Sequence, residues 1–236
     1  MKSTLKTAML VLVCFSLLGS LAACRPQETF SNTSGIDATL EPTPTTGEIR
    51  RAIISALLAM NTRPNKMNVT TYSADGKPHT NVIEFIPPAR KHILAEGTEI
   101  IVAEGKVFLR TTGTDSWQEQ GIPASTYLGD QPVTEQSLGA TLGDVAYVRS
   151  DILDGDPVRI YSYSSSTKTG GMDLHNQTEM WVGRTDGLPY KMVIDGETLA
   201  VSLDPATGEN KTQVVKANST ATIVFDQTLV IESPIP

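Results

Sequence analysis

The sequence predicts a mainly β domain with one helix, in which an antiparallel meander packs against an N-terminal amphipathic helix. Three observations lead there. A single helical period opens the domain, and a train of short β-rich runs broken by Asp-Gly and Glu-Gly pairs follows it. Several of those runs are apolar on both faces.

The chain begins MKSTLKTAMLVLVCFSLLGSLAAC. Lys2 and Lys6 precede an apolar run that is too short to span ~30 Å of hydrocarbon as a permanent helix, and small residues end it. Residues 1–23 are therefore expected to be a secretory signal. Leu21-Ala22-Ala23-Cys24 resembles the lipobox of bacterial lipoproteins, which implies that Cys24 becomes the lipid-modified first residue. Ordinary cleavage, with Cys24 incidental, is the alternative. The chain has two cysteines, and Cys14 falls in the signal, so the processed chain forms no internal disulfide. A diacylglycerol thioether would put two acyl chains in the bilayer, enough for stable anchoring. Residues 24–46 are rich in Thr, Ser and Pro, without an apolar period, and read as a flexible tether. Residues 47–236 read as one domain.

The formal net charge is −7, and loss of Lys2 and Lys6 leaves the remainder more acidic still. That balance argues against nucleic acid as a partner, and against a domain resting on anionic headgroups.

Thr45 and Glu48 have the spacing of a capping box. Ile49, Ala52, Ile53, Ala56, Leu57 and Met60 then keep the i, i+3, i+4, i+7 pattern, which predicts a helix that stops before Pro64. Ile54 and Leu58 widen its apolar arc. Expected strands cover 67–74, 79–86, 91–95, 98–103, 106–111, 158–164, 179–183, 190–195, 199–204 and 220–231. Turns are expected at Asp75-Gly76, Asp154-Gly155, Asp186-Gly187 and Asp195-Gly196, with reversals at Glu96-Gly97 and Glu104-Gly105. Residues 122–143 read as a loop with one short helix, either a lid or a plain surface loop.

Catalytic patterns are weak. Ser165-Ser166-Thr167-Lys168 and Lys168-Thr169-Gly170 match two motifs of penicillin-binding enzymes, but they share Lys168, whereas those enzymes draw them from separate elements. His79, His92 and His175 lack metal-ligand spacing. Asp151, Asp154 and Asp156 alternate as in a calcium loop, yet a turn followed by Pro157 explains them better. No enzyme, metal or cofactor is expected.

Alternation in residues 82–86 (VIEFI) puts Val82 and Ile86 on one face with Glu84, and Ile83 and Phe85 on the other. Val107 opposes Phe108, Trp181 opposes Met180 and Val182, and Met192 and Ile194 oppose Val193. The layout of leader, tether, helix and meander, with PPARKHI, MWVGRTDGLPYKMVI and the closing TIVFDQTLVIESPIP, resembles the LolA/LolB-type lipoprotein carriers. It equally resembles the LppX/LprG-type lipoproteins that share their half-barrel. The resemblance implies a curved meander forming an incomplete β-barrel wrapped around the helix, with a hollow that takes acyl chains. It also implies that Ile83, Phe85, Val107, Phe108, Trp181 and Met192 line that hollow. Implied partners are lipid or lipoprotein acyl chains, the membrane through Cys24, and an envelope protein, for a monomer on the extracytoplasmic face. Departing from LolA, which is soluble, a chain tethered at Cys24 would act within reach of its own membrane. A solid sheet core displaying a protein-binding surface is the competing expectation, since both cores would be dry.

Overall fold

A computed structural model of the chain describes residues 43–72, 76–111, 113–129, 132–169, 172–203 and 210–234. Cys24, the tether expected at 24–46 apart from its last residues, and Asp75 of the first expected turn lie outside the described residues.

Helix α1 (Thr46–Thr62) begins as the spacing predicts. The Glu48 amide donates to Thr45 Oγ1 at 3.3 Å and the Thr45 amide donates to Glu48 Oε2 at 2.7 Å. Two donors that the first turn leaves open are thereby satisfied. Its apolar stripe buries Ile49, Ile53, Ala56, Leu57 and Met60. The strands after it are β1 (Asn65–Tyr72), β2 (Pro78–Ile86), β3 (Arg90–Ala95), β4 (Thr98–Ala103), β5 (Lys106–Thr111) and β6 (Gln118–Gln120). Two short helices follow, α2 (Ser125–Leu128) and α3 (Glu135–Thr141). The chain then forms β7 (Leu142–Leu153), β8 (Asp156–Thr169), β9 (Met172–Gly183), β10 (Pro189–Leu203) and β11 (Asn210–Phe225).

The eleven strands of the described residues form one antiparallel sheet in the order β6-β5-β4-β3-β2-β1-β11-β10-β9-β8-β7. Two meanders are fused by pairing of β1 with β11, and the chain crosses from one edge to the other through α2 and α3. The sheet is not closed, and with its N-terminal helix it is an incomplete barrel. Glu104 and Gly105 (φ 56° and 77°) and Asp154 and Gly155 (φ 53° and 94°) take left-handed conformations. That pair of conformations is what a two-residue hairpin turn needs to match strand twist.

Several expectations need correction, among them the last strand expected at 220–231, since β11 stops at Phe225. Asp195-Gly196 is no turn: Asp195 pairs with Asn218 and Gln177, inside a continuous β10. Gly196 is buried, and Glu197 donates its amide to the Asn176 side chain at 2.9 Å, so flanking strands on both sides override the local signal. The described residues of 122–143 hold two short helices, not one. Finally, β6 and β7 were not expected as strands at all.

The core lies on the inner face, where α1 sits. Cα partners Tyr147, Tyr161, Met180, Met192, Ala221 and Val69 form one lateral row from β7 to β1. Most of this row is buried against α1 in one cluster that also contains Ile83, Val182 and Ile223. Arg50 pins α1 to the β7 edge by donating to the carbonyls of Gly139 and Leu142 at 2.8 Å each.

Candidate functional site

The register divides the six residues singled out from sequence between two faces. Ile83, Phe85, Val107 and Met192 lie on the inner face, while Phe108 and Trp181 lie on the outer one. A single lining made of all six is therefore excluded by the two-residue period of the strands. Trp181 belongs to a small outer cluster with Val158 and Ile160, and Lys191 Nζ sits 4.8 Å from its ring centroid.

The inner four divide again. Ile83 and Met192 are closed in with α1, at 6% and 0% exposure. Val107 is fully buried in a second cluster with Ile100 and Val102, capped by Ala124, Tyr127 and Leu128 around α2. Phe85 is only half-buried. A strip of half-buried apolar side chains adjoins the clusters: Met67 and Phe225 pack on the first, Leu109 on the second and Ile93 on both. Ile93 touches both clusters and so marks where the helical cover changes from α1 to α2.

One lateral row within this strip carries polar atoms. Cα partners Phe225, Asn65, Phe85, Lys91 and Val102 follow one another from β11 to β4. Asn65 is fully buried. Its amide nitrogen donates to the carbonyls of Met60 at 2.7 Å and Arg63 at 2.8 Å, and its Oδ1 has no partner. Lys91 Nζ donates to the Tyr127 carbonyl at 2.5 Å and lies 5.3 Å from the Phe85 ring centroid. Burial pushes this amine below the ordinary lysine range, because the charged form loses hydration.

The outer face of the same strands carries a charge ladder alongside Phe108, which is buried at 2% exposure. Glu84 accepts from Lys66 at 2.7 Å, His92 stands 2.9 Å from both Glu84 and Glu99, and Arg110 Nε donates to Glu99 at 2.9 Å. The Arg110 guanidinium in turn lies 4.7 Å from the Trp117 ring centroid. Burial pushes the Glu84 and Glu99 carboxyls up. The hydrogen bonds, from Lys66 and His92 to Glu84 and from Arg110 and His92 to Glu99, outweigh it and hold both below the usual range. Val82 is thus a side chain beside a charge ladder, with no apolar layer required over it.

A separate pocket of about 190 Å³ lies where α1 crosses β8 and β9, lined by Ser55, Arg159, Tyr161 and Arg184 among others. It is smaller than the ~300 Å³ at which small-molecule sites begin. No group of three or more His, Cys, Asp or Glu suited to a metal occurs among the described residues.

No family model and no curated protein matches the sequence. Among solved structures, the chain is similar to the Mycobacterium tuberculosis lipoprotein LppX, with a TM-score of 0.50 and 11% identity over 80% of this chain and 100% of that one. LprF from Mycobacterium bovis aligns at a TM-score of 0.48 and 12% identity, over 81% of this chain and 99% of that one. A LolA-superfamily protein from Nitrosomonas europaea aligns at 0.27 and 9%, over 77% and 92%. The match to LppX shows that the two chains share a fold, the half-barrel the sequence resemblance implies.

Lys91, Met67, Ile93 and Phe225 were not singled out from sequence. Alternation places each on a strand face, but which face α1 leaves uncovered depends on pairings far along the chain.

Proposed function

We propose that this chain is a lipoprotein, anchored through Cys24 to the extracytoplasmic face of a membrane, whose domain binds acyl chains and carries or hands them over in the envelope. The observation that carries the reading is the strip of half-buried apolar side chains that adjoins the two inner clusters. Apolar surface on the inner side of a sheet that its helices cover only in part is where a chain of methylenes gains most from leaving water, at ~0.8 kcal/mol each. Similarity in fold to a lipoprotein supports the anchored form. The acyl chain would lie along Phe225, Phe85 and Ile93, with Ile83, Val107 and Met192 forming the packed floor beside it.

The competing reading, a solid sheet that displays a protein-binding surface, draws support from the closure around Val107 and Met192. Organic extraction of the purified full chain separates the two, because a thioether anchor stays on the protein while bound lipid is released. Acyl material released at a fixed ratio to protein, and rebinding of added lipid, is the result expected. Repeated extracts without lipid, together with no rebinding, would leave the solid-core reading standing.

A further inference from the structure

We propose that this strip selects amphiphiles with an anionic head, and that the Lys91 ammonium receives the carboxylate or phosphate oxygen. The proposal rests on the acyl-binding reading above and names its ligand class.

The placement of cations on these strands carries the inference. Lys66, Arg90, Lys106 and Arg110 lie on the outer face of β1, β3 and β5, and each reaches a carboxylate: Glu84, Glu104, Glu119 and Glu99 respectively. Lys91 is turned to the inner face, where its lateral partners are Phe85 and Val102. An ammonium has three hydrogen-bond donors. Here one is spent on the Tyr127 carbonyl and the ring of Phe85 lies nearby, with no carboxylate paired to the amine among the described residues. A cation held among apolar side chains without a counter-charge is costly, and an anion brought to it gains more than it would in water.

The location makes that anion the head of an amphiphile. Phe85 and Phe225 flank Asn65 in the row that Lys91 shares, so a head at Lys91 lies beside the strip proposed for the tail. A free anion would lack the apolar contribution, and a neutral lipid would lack the charge-assisted hydrogen bond.

The test compares palmitate, 1-palmitoyl lysophosphatidate and hexadecanol, with inorganic phosphate as the head alone, on the full chain in one neutral detergent. Partition into micelles cancels when parent and variant are compared for the same probe. The parent should bind both anionic probes at least tenfold more tightly than hexadecanol, and inorganic phosphate not measurably. Lys91→Met should abolish that preference, bringing both anions down to the level of the alcohol, while Lys91→Arg should keep it within threefold. Tighter binding of palmitate or of lysophosphatidate assigns the carboxylate or the phosphate as the preferred head, and either agrees with the proposal. Should Lys91→Met fail to fold, Lys91→Gln carries the same expectation. A parent that binds hexadecanol as well as palmitate, or a folded Lys91→Met that keeps the preference, overturns the role of Lys91 and leaves acyl binding intact. A parent that binds none of the acyl probes overturns acyl binding itself.

Discussion

Enlarging one side chain in a closed cluster and one in the open strip tests where the sheet is solid. Val107 is fully buried, with Ile100 and Val102 beside it and α2 above. Phenylalanine there adds a ring where protein atoms already are, and such overpacking typically costs ~1–3 kcal/mol. For a domain of this size 1 kcal/mol moves the melting temperature by ~2–4 °C. Val107→Phe should therefore melt roughly 2–12 °C below the parent. Ile93→Phe makes a smaller enlargement at a half-buried position that touches both clusters, where the new atoms enter the space proposed for lipid. Its melting temperature should stay within ~2 °C of the parent, the shift expected for under 1 kcal/mol, while palmitate uptake falls. Differential scanning calorimetry on delipidated protein and a binding isotherm supply the two readouts. If Val107→Phe melts like the parent, the second cluster encloses free space and the assignment of floor and strip is reversed. If Ile93→Phe unfolds as early as Val107→Phe, the strip is closed by protein and the acyl reading loses its seat.

Other consequences are simpler to measure. The Glu84 and Glu99 carboxyls lie below the ordinary range, so their contribution is whole above ~4.3, the unfolded value, and is lost as pH falls through the depressed folded values. Thermal melts from pH 6 to pH 3 should show Glu84→Gln/Glu99→Gln converging on the parent at the acid end; a constant gap would detach the ladder from stability. Gly183→Ala would place a methyl group onto Asp186 Oδ1 and 2.9 Å from Tyr190 Cε2, disturbing the turn that joins β9 to β10. A loss of ~1–3 kcal/mol in chemical denaturation is expected, and an unchanged midpoint would mean that the turn shifts freely. Cys24→Ala should end incorporation of labelled palmitate, and continued labelling at another residue would rule out the lipobox.

What the sequence revealed depended on how locally each feature is determined. The capping box and helical period of α1 lie within one stretch of chain, so Thr45 and the stripe from Ile49 to Met60 could be read directly. Hairpins from β3 to β5 were equally plain, because Gly97 and Gly105 mark reversals between strands of matched length. Strand β7 was invisible for a physical reason. It is the sheet edge, mostly exposed along its length, and its apolar residues, Val148 and Ile152 exposed among them, fall on both faces and so show no clean alternation. Glu135 to Thr141, with Thr134 capping Ser137, forms α3 without burying a residue, and so offered no apolar period.

The candidate site was only half legible for a related reason. Alternation assigns Phe108 and Phe85 to faces correctly, but face alone does not say what covers it. Cover is decided by the β1–β11 pairing and by the crossover through α2, each joining residues remote in sequence. Lys91 shows the limit well: in sequence it is one more basic residue beside Arg90, and only the pleat separates the two. Arg90 donates to the Ile231 carbonyl at 2.5 Å and faces Glu104 outside, while Lys91 turns inward beneath Tyr127.

That separation of roles predicts how affinity and selectivity would be divided. Eight methylenes moved from water onto the strip contribute on the order of 6 kcal/mol at ~0.8 each, whereas a hydrogen bond to a charged group contributes ~1.5–3 kcal/mol. The tail therefore decides whether a ligand binds, and Lys91 decides which head accompanies it. Shortening palmitate to octanoate, eight methylenes fewer, should weaken binding to the parent by at least a hundredfold, given that part of the strip is already dry before ligand arrives. The same shortening should weaken binding to Lys91→Met by a similar factor, because the strip and the head contact act on different ends of the ligand. A parent that binds octanoate nearly as well as palmitate would place the affinity in the head contact, and the half-buried side chains from Phe225 to Ile93 would then be ordinary sheet surface.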